Sequence, residues 1–142
     1  MSANLFVSPF VGSWTYTSFI NNPDPSAPPA VFGSGTIVIT ASAMNALTGT
    51  IGGEGWGLNL QGSTSYGNPN EVRFQGTGMN GGEMWVYDYI GYLVPNWPNG
   101  VEQVSAFVGS VVRTVPHSDG NGGIAPAGFV ASFIAIQQPA AK

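Results

Sequence analysis

Between Gly12 and Gln137, apolar and polar residues alternate in short runs separated by Gly, Pro and Asn, the period of half-buried strands. The clearest case is Glu71–Leu93 (EVRFQGTGMNGGEMWVYDYIGYL), two alternating runs flanking Asn80-Gly81. Asn-Gly between such runs predicts a two-residue hairpin turn, whose central residues both need positive φ. With that turn Phe74 faces Tyr87, Val72 faces Tyr89, Gly76 faces Trp85 and Arg73 faces Asp88. Strand side chains alternate between faces. One face therefore carries Val72, Phe74, Trp85, Tyr87 and Tyr89, and the other carries Arg73, Gln75, Thr77, Met84, Val86, Asp88 and Ile90.

The same alternation predicts strands at Gly12–Ile20, Gly33–Ala41, Ala46–Gly52, Trp56–Ser63, Glu102–Val115 and Gly128–Gln137. Between them, Asn21–Val31 with its four prolines, Pro95–Gly100 and the Gly-rich His117–Ala127 read as loops. No stretch has helical periodicity bounded by caps. Eight strands in sequence with hairpin-length links predict an all-β fold, a single eight-stranded antiparallel up-and-down β-barrel spanning residues 1–142. Closure removes the edges an open sheet would expose. Residues 1–11 are expected to form an arm packed through Leu5, Phe6, Val7 and Phe10, and residues 138–142 a tail.

Two pieces resemble a known family. Gly12-Ser13-Trp14 on the first strand is the G-x-W signature of calycin barrels, and TIVITASAMNALTGTI (Thr36 to Ile51) resembles the second and third strands of avidins. The resemblance implies that Trp14 plugs one barrel end. It also implies that Trp85, Tyr87 and Tyr89 line the lumen, joined by Phe107, Phe129 and Phe133. It does not imply biotin. Tyr16 stands where avidins place an Asn, Ile51 where they place a Tyr, and Gly53 where they place a Ser. Tyr89 replaces the hairpin tryptophan; Gln103, Ser105 and Phe107 replace the polar ladder and tryptophan of the next strand; and Phe133 replaces the following tryptophan. A site built to hydrogen-bond a buried polar ligand loses heavily when its donors go.

Composition narrows the function classes. Charged residues make up 7% of the chain, against about 25% in ordinary soluble domains, so the surface is either coated with Ser, Thr, Asn and Gln or partly buried against other subunits. A net charge of −4, with Arg73, Arg113 and Lys142 the only basic residues, argues against nucleic acid, because nothing could neutralise a row of phosphates. There is no cysteine, hence no disulfide or thiol chemistry. No apolar run approaches the ~20 residues of a membrane helix, no basic leader precedes an apolar stretch, and a cytoplasmic protein is expected. No paired-histidine spacing points to a metal, and no cofactor is expected.

Candidate chemistry is sparse. Asp88 opposite Arg73 is either a carboxylate held ionised for base catalysis or a surface pair worth at most ~1 kcal/mol. Tyr87 is a second acid–base candidate. The single histidine, His117, is a third, although in a Gly-rich loop it reads first as an ordinary polar residue. Trp97, at the tip of PNWPNG, is either a lid over the barrel mouth or a partner anchor. Trp14, Tyr16, Trp85, Tyr87, Tyr89, Ser105, Phe107 and Phe133 are the expected ligand-binding set, with glycines (Gly62, Gly76, Gly109) leaving room or the aromatics filling the interior themselves.

These readings predict a small-molecule-binding barrel for an apolar or aromatic ligand. A cofactor-free cyclase, isomerase or lyase in the same lumen and a self-assembling structural protein are the alternatives. With the aromatics inward, Val86, Ile90, Val104, Ala106, Val108, Val112, Ile134 and Ile136 form an apolar outer patch on the last three strands. That predicts a homodimer or tetramer.

Overall fold

In the computed structural model of the chain, which describes residues 8–139, the backbone alternation closes into a barrel. The strands are β1 (Gly12–Ile20), β2 (Ala30–Ala41), β3 (Ala46–Gly53), β4 (Trp56–Ser65), β5 (Glu71–Asn80), β6 (Glu83–Leu93), β7 (Ala106–Arg113) and β10 (Val130–Gln137). Each pairs antiparallel with its chain neighbour, and β1 pairs with β10 to close the ring. A two-residue ladder, β8 (His117–Ser118) with β9 (Ile124–Ala125), sits inside the segment read as loop. Among the described residues no helix is long and apolar enough to cross a membrane. The expected packing of Leu5, Phe6 and Val7 lies outside the described residues. Phe10 is fully buried.

Alternation decides inside from outside. Trp14, Tyr16 and Ser18 on β1, Ile37 and Ile39 on β2, Leu58 and Leu60 on β4, and Phe107 and Val111 on β7 are all buried, while residues between them are more exposed. Gly76 makes room for this filling: a Cβ there would lie 3.3 Å from the Tyr89 ring and 3.0 Å from Leu58.

The central hairpin keeps its predicted faces and changes its register. The turn is Gly81-Gly82, with φ of 60° and 81°, not Asn80-Gly81. Phe74 therefore faces Tyr89, Gly76 faces Tyr87, and Gly78 faces Trp85. Two glycines adopt positive φ without a Cβ penalty. Asn80 is also held in the strand from elsewhere: its amide accepts the Gly57 N–H at 3.0 Å and donates to the Gly57 carbonyl at 3.1 Å. The two-residue shift preserves side-chain parity and destroys the Arg73–Asp88 pair. Arg73 faces Ile90 and reaches Glu71 at 3.4 Å, whereas Asp88 faces Gln75 and accepts its amide N–H at 3.0 Å.

Two predicted strands start too early. β7 begins at Ala106 rather than Glu102, because Glu102 has φ of 55° and Asn99 φ of 60°. Gln103 folds back onto the Trp97 main chain, its amide donating to the Trp97 carbonyl at 2.9 Å. Gly128 is also left-handed, at φ of 87°, which delays β10 to Val130. Conversely, β2 extends back to Ala30 through a register shift beside Ser18 and Phe19.

Candidate functional site

The two barrel ends are built differently. At one end Trp14, fully buried, donates its indole N–H to the Phe10 carbonyl at 3.0 Å. Its ring meets Phe107 edge-on at 4.7 Å, and Phe107 meets Phe10 at 5.4 Å and Phe133 at 5.8 Å. Edge-to-face packing of this kind adds about 0.5–1.5 kcal/mol per pair beyond area burial. That half of the lumen is filled. The other half holds a cavity of 690 Å³ that opens to solvent. Its mouth is formed by the β3–β4 and β5–β6 connections and by the segment around β8. Tyr16, Phe32, Trp56, Trp85, Tyr87 and Tyr89 supply aromatic walls.

A hydrogen-bonded chain of three side chains runs along one wall. The Arg113 Nε–H donates to the Tyr87 hydroxyl at 2.9 Å, and Tyr87 lies 2.8 Å from His117 Nε2. His117 Nδ1 is 2.8 Å from the Ser118 carbonyl, which can only accept, so Nδ1 carries a proton. In neutral His117 the free lone pair is then on Nε2, and the Tyr87 hydroxyl donates to it. The imidazole stacks on Trp85, 4.2 Å between centroids and 11° between planes. The Arg113 guanidinium sits over the rings of Phe32 at 5.4 Å and of Tyr87 and Phe129 at 5.6 Å. It also donates through Nη1 to the Pro126 carbonyl at 3.1 Å.

Burial governs two neighbouring phenols. Desolvation pushes the Tyr16 hydroxyl from 10.0 up to about 12, and it holds the Tyr89 hydroxyl well above its ordinary value. Both are neutral donors throughout the physiological range. Folded Tyr16 keeps its proton between pH 10.0 and about 12, where the unfolded chain has released it. Its contribution is therefore constant below pH 10, and stability falls as pH rises across that window by about 3 kcal/mol. Titration of tyrosinate absorbance near 295 nm is expected to leave Tyr16 and Tyr89 silent until the barrel unfolds, with both signals missing from a Tyr16→Phe/Tyr89→Phe variant.

Comparison with known proteins leaves this site on its own geometry. No family model, no curated protein and no solved structure matches the chain.

Of the ligand-binding set read from the sequence, Tyr16, Trp85, Tyr87 and Tyr89 line the cavity. Trp14, Phe107 and Phe133 are buried below it in the filled half. Ser105 precedes β7, half-buried, its carbonyl accepting the Gln137 N–H. Of the catalytic candidates, Tyr87 and His117 meet, whereas Asp88 lies on the outer face beside Ile90, Ser110 and Val112. His117 is not an ordinary loop residue, being only 6% exposed. Trp97, 76% exposed, sits in the β6–β7 connection at the filled end and cannot be a lid over the mouth. Arg113 and Phe32 were missed. Arg113 shares parity with Phe107 and Val111, and that spacing alone places it inward. Among the described residues no group of three or more His, Cys, Asp and Glu side chains is placed to hold a metal ion.

Proposed function

We propose that the barrel binds a small apolar or aromatic molecule in its open half, and that this molecule is not biotin. The observation that carries the reading is a 690 Å³ cavity with aromatic walls, open at one end and stoppered at the other. Small-molecule sites have this size and make-up, with a few convergent polar groups. The avidin-like reading draws support from Trp14, which fills the stopper position that the G-x-W resemblance implies. The test uses the neutral probe N-phenyl-1-naphthylamine. Its emission is expected to rise on mixing, with quenching of Trp85 and a Kd in the micromolar range. Removing one stacking wall by Trp85→Ala is expected to weaken binding roughly tenfold. Absence of binding to the wild type, or equal binding to the variant, would sink this reading.

Acid–base catalysis in the same cavity is a second reading, favoured by the Arg113–Tyr87–His117 chain. There the Tyr87 oxygen would take a proton from substrate as its own passes to His117 Nε2.

We further propose self-association through β6, β7 and β10. On their outer face Val108, Val130 and Ile136 are each more than a third exposed, and Ile90 and Ile134 continue the patch. Cross-strand pairing places Ile134 beside Val108 and Val130 beside Val112. Two-fold pairing would make the patch self-complementary. By light scattering, Val108→Asp is expected to shift an assembly to the 14.7 kDa monomer. A wild type that is already monomeric overturns it.

A further inference from the structure

We infer that the ligand of this cavity carries a carboxylate, seated on the Arg113 guanidinium. The inference rests on the cavity being a binding site, and it concerns the ligand's chemical class. It starts from charge. Arg113 is 8% exposed, and among the described residues no carboxylate lies within 4 Å of it, the one ion pair being Arg73–Glu71. A buried cation without an anion is costly, and the rings of Phe32, Tyr87 and Phe129 offset only part of that cost.

Hydrogen-bond accounting then singles out the guanidinium. His117 uses both ring nitrogens, one toward Ser118 and one toward Tyr87. Tyr87 donates to His117 and accepts from Arg113. Arg113 spends Nε on Tyr87 and one Nη1 N–H on the Pro126 carbonyl, and its remaining N–H groups have no acceptor among the described residues. The spare capacity of the wall is therefore cationic and donor-only. A planar, two-pronged guanidinium matches a carboxylate better than any neutral acceptor. The aromatic walls take the apolar body attached to it.

Glu54, Glu83 and Asp119 at the mouth do not cancel this preference. All three are exposed, and two are tied to backbone: Glu83 accepts the Ser118 N–H at 2.9 Å, and Asp119 accepts those of Asn121 and Gly123. Exposed charges are screened beyond about 8 Å at physiological salt, whereas a buried one is screened far less. The rim slows entry of an anion; the inner wall holds it.

The test compares 2-naphthoate with its neutral counterpart 2-naphthamide by calorimetry at pH 7. Naphthoate is expected to bind roughly tenfold more tightly or better. Arg113→Met, which keeps the apolar stem, is expected to erase the preference, and Arg113→Lys to keep part of it. In case Arg113→Met does not fold, the wild-type Arg113 Nε–H resonance supplies the same answer, shifting with naphthoate and not with naphthamide. Equal binding of both probes, or an unmoved Arg113 resonance, overturns the carboxylate and leaves the binding cavity standing. A preference that survives in Arg113→Met overturns the assignment to Arg113. If neither probe binds, the cavity reading fails and the carboxylate with it.

Discussion

Trp14→Ala is expected to destabilise the barrel by about 3–5 kcal/mol, the range for truncating a buried aromatic. Trp14 is fully buried at the filled end, and two effects add there. Removing the indole opens a hole beside Phe107, whose ring lies 4.7 Å away, and packed neighbours collapse only partly into such a hole. It also strands the Phe10 carbonyl, which loses the indole N–H at 3.0 Å. Trp14→Phe separates the two effects, since it restores most of the volume and not the donor; a loss of about 1–2 kcal/mol is expected. Urea unfolding followed by far-ultraviolet circular dichroism measures both. A loss below about 1 kcal/mol for Trp14→Ala would mean that Trp14 is not the stopper.

Gly62→Ala is expected to cost about 3 kcal/mol or more, because β4 and β5 approach there with no space for a methyl group. A Cβ on Gly62 would sit 1.8 Å from the Arg73 carbonyl oxygen and 2.8 Å from its carbon. Those atoms are backbone in a paired strand, so no rotamer change relieves the clash, and the two strands must part. Gly57→Ala on the same strand is the control, since a Cβ there meets nothing closer than 4.0 Å. It is expected to change stability by less than about 1 kcal/mol. Thermal unfolding of both proteins decides the matter. Equal midpoints would show that the barrel can widen at Gly62, and that its shape is less constrained than the pairing implies.

Much of this molecule was legible in its residues because strand alternation is a local property. Period two put Tyr87 and Tyr89 on one face and Val86, Asp88 and Ile90 on the other, the avidin resemblance implied that the first face lines the lumen, and the two-residue register shift preserves that parity. The same parity argument reaches Arg113 from Phe107. The candidate site was less legible. His117 lies in a Gly-rich segment with no period to read, and only closure of the barrel brings its ring onto Trp85 and within 2.8 Å of Tyr87, thirty residues away.

By itself, then, the sequence determined the class of fold, the strand order and which residues of each strand share a face, because alternation and turn residues act over a few neighbours. The tertiary structure alone decided which residues meet across the lumen. Asn80 entered the strand because Gly57, far away in the chain, supplies its hydrogen bonds. Trp14 and Phe107 fell into the filled half, while Tyr87, Arg113 and His117 met in the open one. Those outcomes depend on how the strands stagger around the closed ring, a long-range quantity that no local pattern encodes.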